Sequence, residues 1–365
     1  MSIFIFLVIL VVLVLVHEFG HFIVAKKSGI RVDEFGFGFP PKLFSVKKGE
    51  TEYSFNALPF GGFVKIFGET PDEESLTGPD RSRSFIHKPK YIQAAVLSAG
   101  IIFNFVLAWL LLSIGLIAGL PSTVGQERAG VEVTNVSLMV TGVLDESPAG
   151  FSGLIQGDKI TSVSDPTSSI DVLTPEAVKE FVSSRPGQEL IVTFERDDIS
   201  QSVTLLPQIG LVEESVPAIG IAMDLVGILK LPVHKALIEG AKLTATITKD
   251  TVVSLSLLIR DAFIGEADIS KISGPVGIVG VVGDAAQLGF VFLLSLTAII
   301  SINLAIINLI PFPALDGGRL LFLLIEKIKG SPINPSIANT LNAIGFFLLI
   351  LLMVVVTFFD IGKLL

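Results

Sequence analysis

Four stretches of this chain are too apolar and too long to suit anything but a lipid bilayer. They cover residues 3–24, 92–120, 288–310 and 343–359. A spanning helix needs roughly 20 apolar residues, and each stretch is near that length, the last being short. Lipid offers no hydrogen-bond partners, so backbone that crosses it must satisfy itself as helix. The expected fold class is a polytopic α-helical membrane protein with four transmembrane helices. Composition agrees, since half of the 365 residues are apolar, 17% are charged and the mean hydropathy is +0.74, too apolar for an ordinary soluble protein. The first partner is then the lipid bilayer. A net charge of −9 argues against nucleic acid. With no cysteine, disulfides and thiolate metal sites are excluded.

The first apolar run ends in His17-Glu18-Phe19-Gly20-His21. Residues four apart on a helix project about 40° apart, so both imidazoles can face one metal ion. Glu18 projects about 100° from His17, toward His21, and can act as a base beside that ion. Ionisable groups at membrane depth are expensive and mark function by default. Only four histidines exist in the chain. The other two, His87 and His234, lack ligand spacing and are expected in surface roles. The pentapeptide alone also fits a chance match or a polar transport path. A secretory leader is disfavoured, because no basic segment precedes the run and cleavage after it would destroy the motif.

A second motif lies far downstream, Asn308-Leu309-Ile310-Pro311-Phe312-Pro313-Ala314-Leu315-Asp316-Gly317-Gly318-Arg319. Its prolines break a helix after Ile310, and Asp316 can supply a hard oxygen ligand. The bland alternative is Asp316 as the N-cap of the apolar helix that follows. With the two histidines, Asp316 completes a set of two imidazoles and one carboxylate. That set leaves the fourth tetrahedral position of a catalytic zinc open.

Charge gives the arrangement. Residues 26–90 hold eleven Lys plus Arg against nine Asp plus Glu, whereas 121–287 hold eleven against twenty-two. The positive-inside rule then puts 26–90 and about 315–340 in the cytoplasm, with 121–287 and both termini outside. Four regions are expected. Residues 1–120 form an N-terminal membrane part that includes a membrane-associated β-hairpin or sheet. Residues 121–215 form an extracytoplasmic β-rich domain, with a helix over 174–183 begun by Thr174 and Pro175. Residues 216–287 comprise an amphipathic helix over 234–263 and a Gly-Pro linker, flexible over 274–280. Residues 288–365 form the C-terminal membrane part. Residues 53–68 are the expected exposed sheet edge, open to strand addition.

The paired motifs resemble the site-2 protease family of intramembrane zinc metalloproteases, in particular its bacterial RseP-like group. Leu58-Pro59-Phe60-Gly61-Gly62-Phe63-Val64-Lys65 with Gly68-Glu69 is similar to the family's membrane-reentrant β segment. Ser98-Ala99-Gly100 with Asn104-Phe105 resembles the start of its second span, and Ile272-Ser273-Gly274-Pro275-Val276-Gly277-Ile278 the segment before its third. The resemblance implies zinc held by His17, His21 and Asp316, Glu18 as catalytic base, and Asn308, Gly61 and Gly62 as substrate-binding residues. It also implies a PDZ domain over the loop containing 142–160, as one copy rather than a tandem pair. That domain is expected to take substrate C-termini or to exclude untrimmed proteins. Transmembrane proteins are the implied substrates, such as anti-sigma factors and signal-peptide remnants, in a bacterial cytoplasmic (inner) membrane. Asn303 and Asn104 are expected to be structural. The rival readings are a non-enzymatic PDZ membrane scaffold and a metal transporter.

Overall fold

A computed structural model describes residues 1–70, 72–124, 133–144, 146–196, 199–211, 215–265 and 273–364. Parts of the expected sheet domain, and Ile272 of the Gly-Pro motif, lie outside them. In chain order the elements begin with α1 (Ser2–Lys27), β1 (Val32–Lys48), β2 (Thr51–Ile66), α2 (Glu73–Thr77) and α3 (Lys90–Ala118). Next come β3 (Leu120–Thr123), β4 (Thr134–Val143), α4 (Pro148–Phe151), β5 (Lys159–Ser164), α5 (Pro175–Ser183), β6 (Leu190–Arg196), β7 (Ile199–Leu205), β8 (Gln208–Ile209), β9 (Pro217–Ala218) and β10 (Ile221–Leu229). The last five are α6 (Val233–Ile264), α7 (Pro275–Leu288), α8 (Phe290–Leu309), α9 (Asp316–Lys329) and α10 (Pro335–Leu364). Two compact units result, Met1–Ile114 with Gly240–Leu365, and Gly115–Glu239.

In the first unit α1, α3, α8 and α10 are long and apolar enough to cross a membrane, as the four apolar stretches predict. Ala108 and Leu112 of α3 pack on Ala298, Ile302 and Ile306 of α8. Ile9 and Leu13 of α1 pack on Val282 of α7. Helices in lipid associate through close packing rather than the hydrophobic effect, so small residues mark their contacts. Gly20 is such a point, because a Cβ there would stand 2.6 Å from the Ala99 carbonyl oxygen. Gly20→Ala would therefore push α1 and α3 apart.

The segment expected to be flexible over 274–280 is instead the start of α7. Pro275 sits in its first turn, where a missing N–H costs nothing. Buried Asp360 of α10 accepts hydrogen bonds from the Gly274 and Gly277 amides, at 3.1 and 2.8 Å.

β1 and β2 are bent, bulged strands that pair with each other and fold into four rungs. Tyr53, Ser54 and Phe55 pair on one side with Phe35, Gly36 and Phe37, and on the other with Val46, Ser45 and Phe44. Residues 53–55 are therefore interior, which corrects the expectation that the whole of 53–68 is an edge. Among the described residues, 62–66 pair only with the first half of β1 and form one free edge.

The second unit is built on a six-stranded antiparallel sheet ordered β3-β10-β4-β5-β6-β7. β10 lies between β3 and β4, so the sheet extends beyond the expected limit at residue 215. Leu190, Val192 and Phe194 of β6 are buried with Val163 of β5 and Val178 and Val182 of α5. Burying one such side chain stabilises by about 1.5–3 kcal/mol. α5 begins as its sequence predicts, with Thr174 Oγ1 accepting from the Ala177 amide at 3.2 Å and Pro175 in the first turn.

Candidate metal centre

The i, i+4 spacing on α1 brings His17 and His21 together, with ring centroids 4.9 Å apart. Pro311 and Pro313 interrupt the chain after α8 and let it turn into α9. Gly317 and Gly318 make that turn possible. A Cβ on Gly317 would lie 2.3 Å from the Leu309 and Ile310 carbonyl oxygens, and one on Gly318 2.2 Å from that of Phe312. The first turn of α9 is thereby pressed against the preceding backbone, and Asp316 faces the histidines. It does not cap the helix. Leu315 holds that position, and no side-chain cap is made.

Three ligand atoms converge. His17 Nε2 is 3.1 Å from Asp316 Oδ2, His21 Nε2 is 3.2 Å from it, and the two Nε2 atoms are 3.3 Å apart. For metal–ligand bonds of roughly 2.0–2.1 Å, the edges of a tetrahedron are about 3.3–3.4 Å. The triangle is thus one face of a zinc-sized tetrahedron. Asp316 Oδ2 is buried and accepts no hydrogen bond, although two imidazole nitrogens face it. Buried carboxylate oxygens are normally hydrogen-bonded, so this convergence of lone pairs fits a divalent cation.

The ring nitrogens on the far sides are also placed. His21 Nδ1 lies 2.8 Å from the Val96 carbonyl oxygen, which fixes Nδ1 as donor and leaves Nε2 free to ligate. His17 Nδ1 lies 3.2 Å from Asn104 Nδ2, while Asn104 Oδ1 is buried without a partner. A ligating Nε2 requires the proton on Nδ1. Turning the Asn104 amide by 180° exchanges two nearly indistinguishable atoms. Its Oδ1 then accepts that proton, and the orphan disappears. Gly100, one turn before Asn104, gives the histidines room. A Cβ there would lie 2.3 Å from His21 Nε2 and 2.8 Å from His17 Nε2. The sequence places Gly100 in a motif at the start of the second span, without a role at the site, and Asn104 is expected there to be structural. The available signal was Gly and Asn at the same four-residue spacing as the histidines, on an otherwise apolar helix.

Glu18 is half-buried beside the pair. A Cβ built on Gly62 would stand 3.4 Å from Glu18 Cγ and 3.3 Å from Val14. The free edge of the hairpin therefore begins against Glu18. Gly61, with φ of 91°, turns the chain into that edge in a conformation that disfavours other residues. Asn308 is half-buried on the last turn of α8, and His87 and His234 are exposed. Among the described residues, His17, His21 and Asp316 are the cluster that could hold a metal. A cleft of about 1120 Å³ lies nearby, bordered by Glu69, Lys90, Leu97, Arg319 and Glu326.

The chain matches the family model described as peptidase family M50 over residues 5–352. A protein of Clostridium acetobutylicum, provisionally named a zinc metalloprotease, is 35% identical over 96% of this chain and 94% of its own. The regulator of sigma-W protease RasP of Bacillus subtilis is 31% identical over 98% of both chains. Among solved structures, the PDZ domain of an SdrC-like protein from Listeria monocytogenes aligns with 26% of this chain and 93% of its own, at 21% identity and a TM-score of 0.21.

Proposed function

The chain belongs to peptidase family M50, and from that premise we propose how its residues carry out the family's chemistry. The protein is a membrane-bound zinc metalloprotease of the site-2 type, which hydrolyses peptide bonds of membrane proteins in regulated intramembrane proteolysis. In our reading His17, His21 and Asp316 hold the zinc. The observation that carries this assignment is the 3.1–3.3 Å triangle of ligand atoms. When bound, zinc supplies Lewis acidity, polarising a scissile carbonyl and acidifying water. Glu18 takes the proton from the attacking water and passes it to the leaving amine. Asn104 and the Val96 carbonyl hold the imidazoles in the ligating tautomer.

A transmembrane substrate hides its amides in helical hydrogen bonds and must unwind to be cut. The 62–66 edge offers a strand partner, and its Gly62 end adjoins Glu18. Gly61 and Gly62 keep that end free of side chains, and Asn308 serves the substrate backbone. The name of the Bacillus subtilis relative ties that protein to sigma-W; anti-sigma factors and signal-peptide remnants are the substrates we propose here. The charge pattern supports an active site toward the cytoplasm of a bacterial inner membrane and a sheet domain outside it. In that domain a groove of about 300 Å³ runs between α5 and β10, lined by Lys179, Val182, Ile219, Ile221 and Met223. β3 pairs only with Val226–Leu229. Among the described residues, 221–224 thus keep a free strand side on which a cleaved substrate's C-terminus fits as a PDZ ligand.

The test is Glu18→Gln in the purified full chain with a model transmembrane substrate. Cleavage falls about 10²–10⁴-fold while bound zinc stays stoichiometric. Cleavage equal to wild type would overturn the protease reading in favour of a scaffold or a transporter.

A further inference from the structure

The ion pair between Arg319 and Glu69 joins two elements whose alignment the reaction needs. Arg319 lies one helical turn after Asp316 on α9. Glu69 follows the free edge 62–66 by three residues. Neither side chain is among the ligand or base groups, and the pair is partly shielded from water, at 32% and 21% exposure.

Both ends of this link are anchored. On the hairpin side, the Glu69 amide donates to the Ile66 carbonyl at 3.1 Å and the Phe67 amide to Arg31 at 2.9 Å. Gly68 has a φ of 73°, and a Cβ on it would collide with Ser84. On the helix side, Gly317 and Gly318 press the first turn of α9 against residues 309–313. At the other end of α9, Glu326 binds Lys90 of α3 at 2.5 Å. Both ion pairs border the same 1120 Å³ cleft. A strand added along 62–66 starts at Glu18 and runs toward Glu69.

We propose that Arg319 and Glu69 are positioning residues, a latch that holds the substrate edge and the Asp316 helix in one register. The latch fixes where an extended backbone lies relative to the ligand triangle. It does not bind the ion or the reacting atoms. The inference rests on the protease reading above, and the loss of cleavage in Glu18→Gln tests that reading separately.

The experiment uses the full chain in bilayer nanodiscs, with Arg319→Gln, Glu69→Gln, the charge swap Arg319→Glu/Glu69→Arg, and Arg319→Lys. Two quantities are read, zinc release to a chromophoric chelator and kcat and KM on a model transmembrane substrate. Residues that orient ligands typically alter metal affinity or activity about ten- to a hundredfold. Each neutralisation is expected to accelerate zinc release and to lower kcat by about that range, with KM changing far less. The swap or Arg319→Lys restores most of both. Unchanged zinc release and kcat in both neutralised variants would overturn the latch. So would a swap and an Arg319→Lys variant that are both as impaired as Arg319→Gln. If the swap does not fold, Arg319→Lys decides alone.

Discussion

The sheet unit and the candidate metal centre treat their carboxylates in opposite ways. In the sheet unit Asp158 is buried, receives Arg196 Nε and Nη2 at 2.6 and 2.7 Å, and accepts the Ile155 amide at 2.9 Å. Asp165 is held by Thr167, Ser168 and Arg185. In the membrane unit Asp316 is less enclosed as a residue, but its Oδ2 is buried and is met by imidazole nitrogens and no committed donor. A buried charge that is fully hydrogen-bonded is doing structural duty, and breaking its set destabilises the fold. A buried carboxylate oxygen that faces imidazole nitrogens instead has the donor set of a cation site. The difference separates architecture from chemistry without reference to any relative.

The largest effect that could break this contrast is Asp316→Ala. It should abolish cleavage and zinc retention while leaving the thermal unfolding of the metal-free chain nearly unchanged. A metal-free chain destabilised as strongly as by an Asp158 variant would collapse the distinction. Gly100→Ala comes next. In an ordinary helix that change stabilises by roughly 1 kcal/mol. Here the new methyl occupies the space of the His21 ligand atom, so zinc affinity should fall by at least about tenfold in a chelator competition. Unaltered affinity would mean that the α1–α3 crossing is looser than described.

Proline scanning of Phe63, Val64 and Lys65 tests the hairpin edge. Backbone amides alternate in direction along a strand, and proline removes one donor. Replacement of an outward-facing amide should lower cleavage about tenfold with zinc content intact, on the usual scale of a lost charge-free hydrogen-bond contact. Full activity at all three positions would exclude strand addition here.

The smallest effect concerns pH. Hydrogen bonds from Thr167 and Arg185 hold the Asp165 carboxyl well below the usual carboxylate range. Its contribution is therefore complete above the unfolded-state value of about 3.9 and is lost as pH falls below it. Hydrogen exchange of β5 and β6 in the full chain should rise more steeply below pH 4 in wild type than in Asp165→Asn. Equal slopes would show that Asp165 contributes nothing.

Much of this was legible in the sequence because lipid and metal both impose hard rules. Apolar length marked α1, α3, α8 and α10, and a four-residue spacing marked His17 and His21. Thr174-Pro175 marked the start of α5 to the residue. Pro311 and Pro313 marked the break before Asp316. The rest depended on tertiary context that local pattern does not carry. The β segment expected within 1–120 is two long bulged strands, and only pairing tells interior 53–55 from edge 62–66. Glycines suggested a flexible 274–280, but Asp360, more than eighty residues away, organises that segment as a helix start. Asn104 and Gly100 sit on an apolar helix where each has an ordinary packing role, and only the approach of α1 gives them another.

The ligand triangle also has a mechanical meaning. His17 and His21 are separated from Asp316 by 316 − 17 = 299 and 316 − 21 = 295 residues. An ion held at all three is a cross-link that closes nearly the whole chain into a loop. For a free chain a closure of that length would match a long-loop disulfide, about 5–6 kcal/mol. Helices already confined to a bilayer have less freedom to lose, so the gain is smaller. What the cross-link chiefly restrains is α9, the 14-residue helix that begins at Asp316. Removing the ion should therefore loosen the first turn of that helix and leave the crossing of α1 with α3 intact.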